Sequence, residues 1–115
     1  MRKLMMGILM LSMNVPVHAA SQWCYGTITD LLIFSDGSIM AKPSWRQDWI
    51  GICNLNTTWK DVPPVTCAAW YTTLKTAMTR QPLSQTIIFY PEASLCPSVP
   101  TYSAAPAPGY IMLQQ

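Results

Sequence analysis

Val65-Thr66-Cys67-Ala68-Ala69-Trp70-Tyr71-Thr72-Thr73-Leu74-Lys75-Thr76-Ala77-Met78-Thr79-Arg80 is the stretch of this chain where the pattern of apolar residues changes period. Cys67, Trp70, Tyr71, Leu74, Ala77 and Met78 return every three or four positions, which puts them on one face of a helix of about four turns. Upstream, Asp61 and the Pro63-Pro64 pair supply a start, because proline is tolerated in the first turn. Lys75 and Arg80 stand toward the C-terminal end, where cations suit the helix dipole, and Pro82 ends the run.

On both sides of this helix the period is that of strands. Thr27 to Phe34 is rich in β-branched and apolar residues and partly alternates. Ser35-Asp36-Gly37-Ser38 is a turn, since Asp-Gly tolerates the positive φ of a tight hairpin, and Ser38 to Lys42 returns as a second strand. Trp49 to Leu55 reads as a third strand, Gln85 to Tyr90 as a fourth and Tyr110 to Leu113 as a short fifth. Residues 97–109 carry Pro97, Pro100, Pro106 and Pro108 and predict a long surface loop pinned at its start by Cys96. The order β-β-β-α-β-β is mainly β with one helix. It is the order of an OB-fold, a small Greek-key barrel, here a single domain over residues 21–115.

Residues 1–20 read as a signal peptide. Arg2 and Lys3 give a positive start, Met5 to Met13 are almost wholly apolar, and Val17-His18-Ala19-Ala20 offers small residues for cleavage. The apolar run is shorter than the roughly 20 residues that a spanning helix needs. The expected product is secreted or periplasmic, and Lys42, Arg46, Lys60, Lys75 and Arg80 balance Asp30, Asp36, Asp48, Asp61 and Glu92 in it. With no basic run, nucleic-acid binding has no support, and membrane insertion is not expected. His18, the one histidine, leaves with the signal, which excludes Ser-His-Asp and Cys-His catalysis and histidine-bearing metal sites.

Four cysteines remain, none in a C-x-x-C pair, so two structural disulfides are expected rather than a zinc or redox site. Three connectivities exist; the barrel favours Cys53–Cys67, stapling the loop before the helix, and Cys24–Cys96, tying the start of the domain to its late half. The carboxylates are scattered over turns and loops with no pair fixed by periodicity, and Gly26, Gly37, Gly51 and Gly109 form no phosphate loop. The chain is therefore read as non-enzymatic, with no cofactor and no metal. Trp70 belongs to the helix core and Trp49 to a strand. Trp23, Trp45 and Trp59 fall in loops or strand approaches, where they stack on sugars, enter subunit interfaces, or seal the ends of the barrel.

Three segments carry a family likeness: the hairpin turn Asp36-Gly37-Ser38-Ile39; the strand Gly51-Ile52-Cys53-Asn54-Leu55 leading through a loop with Trp59; and the helix with Trp70, Leu74 and Ala77, followed by Thr86-Ile87-Ile88-Phe89-Tyr90. Over about residues 26 to 90 the chain resembles the B subunits of bacterial AB5 toxins, especially the subtilase cytotoxin and typhoid toxin branch. The resemblance implies an OB-fold, a homopentamer that pairs with a toxin A subunit, and recognition of cell-surface glycans, often sialylated. It implies a glycan pocket built from a first-strand hydroxyl, with Tyr25 or Thr27 in that place, and from an aromatic after the fourth strand, Tyr90. Where the typhoid branch carries a basic residue in the fourth strand, this chain has Thr86 or Ile87. The alternative is a periplasmic protein-interaction module, an inhibitor or assembly subunit, without sugar binding.

Overall fold

The computed structural model describes residues 21–92 and 95–115, so the signal-peptide reading of residues 1–20 lies outside the described residues. The elements are β1 (Gln22–Gly26), β2 (Ile28–Ile33), β3 (Ser38–Pro43), β4 (Ile50–Asn54), α1 (Pro64–Thr79), β5 (Gln85–Tyr90), a 3-10 turn (Cys96–Ser98) and β6 (Tyr110–Gln114). They form two antiparallel three-stranded sheets, ordered β1-β5-β6 and β2-β3-β4. Among the described residues the protein is mainly β with one α-helix, and the strand count expected from sequence is corrected from five to six. The added strand is β1, read from sequence only as an approach. Its inward Cys24 alternates with outward aromatics, so the polar–apolar contrast that announces a strand is missing.

The chain crosses from one sheet to the other at Gly26–Thr27. Both backbone groups of Thr27 are held by Ser44: Thr27 N donates to Ser44 Oγ (3.0 Å), and Ser44 N donates to Thr27 O (2.8 Å). β2 and β3 are joined by the expected tight turn. Gly37 has φ +92°, and Asp36 Oδ1 accepts from the Ser38 amide at 2.9 Å, which holds the Asp36 carboxyl below its usual range. β4 is buried along its whole length and carries Ile50 and Ile52 into the core beside Ile28, Ile39, Leu74 and Ile88.

α1 opens at Pro64 with Pro63 as its N-cap and no side-chain cap. Asp61 is therefore not part of the helix start. Lys60 and Asp61 instead form the two central positions of a tight turn, with φ of 47° and 68° and reciprocal hydrogen bonds between Trp59 and Val62 (3.0 and 2.9 Å). The helix buries Cys67, Leu74 and Ala77 against the sheets and half-buries Trp70, Tyr71 and Met78. The disulfides are Cys24–Cys96 and Cys53–Cys67. Thiol oxidation to two cross-links places the folded chain in an oxidising compartment.

The proline-rich stretch differs from the expected surface loop. Val99 and Ala105 are fully buried in the core. The backbone of Tyr102 lies along the free side of β4: Gly51 N donates to Tyr102 O (3.0 Å) and Tyr102 N to Trp49 O (2.9 Å). Two cations fasten the loop, Arg46 Nε to Val99 O (2.9 Å) and Lys60 Nζ to Ser103 O (2.7 Å) and Ala105 O. The link to β4 is a single parallel bridge, Ile50 to Tyr102, and among the described residues the two sheets do not join into one closed ladder.

Candidate functional site

Which face of β1-β5-β6 turns inward is fixed by Cys24. Its bond to Cys96 and its pairing with Ile88 put Cys24, Ile88 and Ile111 in one inward row. The period of two then sends their neighbours outward. Trp23, Phe89 and Tyr110 form one cross-strand row on that outer face, and Tyr25, Ile87 and Met112 the next. Gln85 pairs with Gln114 at the far end.

The first row is an organised aromatic cluster. Phe89 and Tyr110 stack with centroids 4.7 Å apart and planes within 19°, and Trp23 lies tilted on Phe89 at 5.0 Å. Trp23 Nε1 donates to the Tyr110 hydroxyl at 2.7 Å, so the outer two residues meet across Phe89, which is half-buried. Gly109 makes this approach sterically available. Its amide donates to Phe89 O (2.7 Å), and a Cβ there would stand 2.9 Å from the Phe89 ring and 3.0 Å from Pro91. Trp23 (49%), Tyr25 (53%), Tyr110 (37%) and Met112 (42%) remain strongly exposed, whereas Ile87 between them is buried. Four large apolar or aromatic side chains of one sheet face are thus open to water, the kind of surface on which binding sites are sought. None of the outward side chains of this sheet is charged. The face offers ring surfaces and the phenolic hydroxyls of Tyr25 and Tyr110, groups that suit stacking and directed hydrogen bonds.

No protein-family model, curated protein or solved structure matches this chain. The site therefore rests on its own geometry.

The three residues expected in a glycan pocket do not come together. Tyr25 is outward on β1 and belongs to the second row of the aromatic face. Thr27 is half-buried at the crossing between the sheets. Tyr90 points inward, is fully buried, and packs edge-on against Trp45 at 6.3 Å. Tyr25 and Tyr90 thus occupy opposite faces of one sheet, since residue parity separates Phe89 from Tyr90. Of the three tryptophans left open by the sequence, Trp45 seals the core over Tyr90, and Trp59 is half-buried under Lys60 Nζ (4.5 Å). Only Trp23 among them faces outward on a sheet. Phe89, Tyr110 and Met112 were not singled out from sequence; the strand register that unites them with Trp23 is not a local property. Among the described residues no three His, Cys, Asp or Glu side chains gather into a metal-binding group.

Burial of Tyr90 has a measurable consequence. Its hydroxyl has no hydrogen-bond partner among the described residues, and burial pushes its ionisation above the usual phenol range. A raised folded-state value means this group's contribution to stability is whole below about pH 10 and is lost as pH rises further. Tyr90→Phe removes an unpaired polar atom, so its urea midpoint at about pH 8 equals or exceeds that of the parent. At about pH 11 the parent loses more stability than the variant. Equal losses in the two proteins would contradict the buried, unpaired hydroxyl.

Proposed function

We propose that this chain is a secreted, non-catalytic binding module that recognises a cell-surface glycan, in the manner of an AB5 toxin B subunit. The observation that carries the reading is the uncharged row Trp23–Phe89–Tyr110 with exposed Tyr25 beside it. Flat aromatic surface edged by a few hydroxyls is what the C–H face of a sugar ring stacks on. The disulfides support an extracytoplasmic setting. An OB-type barrel accounts for the chain turning from one sheet into the other at Thr27 and for β4 reaching the 96–109 loop by the Ile50–Tyr102 bridge. In this reading five copies assemble into a ring that carries an A subunit.

One observation favours the second reading, a periplasmic protein-interaction module. β6 is a sheet edge of Tyr-Ile-Met-Leu-Gln with no charge and no proline, and such edges pair with other chains. A glycan array probed with the processed protein, together with light scattering, separates the two. Binding to a defined set of glycans by a pentameric species is the expected result. Silence across the array with a monomeric species overturns the glycan reading in favour of the second.

A further inference from the structure

The chemistry of the aromatic row narrows the ligand, on the premise that this face binds a glycan at all. We infer that the ligand is an uncharged saccharide that stacks on Trp23 and Tyr110 and accepts a hydrogen bond from the Tyr110 hydroxyl. Ring faces carry the negative end of an aromatic quadrupole, so an anionic sugar held against them needs a cation close by. The described residues contain five cations, and none is placed to serve. Lys60 and Arg46 are held at the 96–109 loop, donating to its carbonyls. Lys42 lies 6.0 Å from the Trp49 ring and Lys75 lies 5.4 Å from the Tyr71 ring, on the other sheet and on the helix. Arg80 borders Leu83 and Gln115, beside the Gln85–Gln114 end of the sheet. Phe89 stands four residues along β5 from that end, about 13 Å away at strand rise. Glu92, three residues past Phe89, brings an acidic charge to the aromatic end instead.

The polar atoms of the row agree. The Trp23 indole N–H, a donor that could meet a carboxylate, is already engaged by Tyr110. The Tyr110 hydroxyl accepts that bond, makes no other among the described residues, and keeps its own proton to give. That proton is free for an acceptor oxygen of the ligand, a sugar hydroxyl, ring oxygen or amide carbonyl. The selectivity is thus for a neutral ring over a sialylated one.

The test uses the processed full chain against immobilised galactose-, glucose- and N-acetylglucosamine-terminated oligosaccharides and their sialylated counterparts. Cultured cells with and without sialidase treatment provide a second surface. Neutral glycans bind, sialylation lowers binding tenfold or more, and sialidase leaves or raises cell binding. Tyr110→Phe, which keeps the ring, weakens neutral-glycan binding about tenfold. Trp23→Ala abolishes it, with circular dichroism confirming that both variants keep the fold. Binding to sialylated glycans alone, or its loss on sialidase treatment, overturns the neutral ligand and leaves the glycan reading standing. Unchanged neutral-glycan affinity in both variants overturns the site. Silence of every glycan and every cell surface overturns both readings.

Discussion

Reducing both disulfides unfolds this chain near body temperature. Cys24–Cys96 closes a sequence separation of 72 residues and Cys53–Cys67 one of 14. In the chain-entropy account these closures remove about 4 and about 3 kcal/mol from the unfolded state's advantage. A domain of this size has a total stability of about 5–15 kcal/mol, so losing both consumes most of it. The two bonds also act in different places. Cys24 anchors β1 to the turn that launches the 96–109 loop, whereas Cys53 ties the end of β4 to the first turns of α1. Replacing Cys24 and Cys96 together by alanine is expected to lower the melting temperature more than replacing Cys53 and Cys67. Thermal melts followed by circular dichroism, with and without reductant, check this. A melting curve indifferent to reductant would remove the disulfides from the account of stability.

The elements legible in the sequence are those decided by neighbours a few residues away. The helix read as Val65 to Arg80 is observed as Pro64–Thr79, because a period of three to four shows in the chain itself. The hairpin at Asp36-Gly37 is legible for the same reason: one glycine at φ +92° and one carboxylate capping a nearby amide are local chemistry. The rest depends on partners far along the chain. β1 is a strand because β5 pairs with it, and its outward aromatics hide the alternation. Lys60 and Asp61 adopt the left-handed region without glycine or asparagine because Lys60 is held by the carbonyls of Ser103 and Ala105, more than forty positions on. Tyr90 was expected at a ligand pocket; the register of β5, set through Cys24 and Ile88, turns it inward and leaves Phe89 on the outer face. The aromatic face is the clearest case. Trp23, Phe89 and Tyr110 lie on three strands of one sheet, and only the pairing β1-β5-β6 makes them neighbours.

The same dependence on distant partners makes Gly51 a sensitive position in β4. Gly51 is buried, and a Cβ built on it would stand 2.6 Å from Tyr102 O, the atom that accepts the Gly51 amide proton. The obstacle is backbone, which cannot swing aside as a side chain tip can. The Trp59 ring stands 3.5 Å from the same point. Gly51→Ala therefore forces the 96–109 loop off β4 or strains β4 itself. Overpacking of this kind costs about 1–3 kcal/mol. If the loop lifts, Val99 and Ala105 lose their cover, and exposing a buried valine costs a further ~1.5–3 kcal/mol. The expected result is a destabilisation of about 1–3 kcal/mol if β4 takes the strain and of about 2.5–6 kcal/mol if the loop lifts, read as a lower urea midpoint. Faster amide exchange at Tyr102 and Gly51 than at the β2–β3 hairpin would accompany it. Lys60→Met weakens the same attachment from the loop's other end by removing the bonds to Ser103 and Ala105. Because both substitutions act on one docking event, their effects combine to less than their sum. Full additivity would mean that the loop is not held as a unit, and Gly51→Ala at parental stability would mean that it is not held against β4 at all.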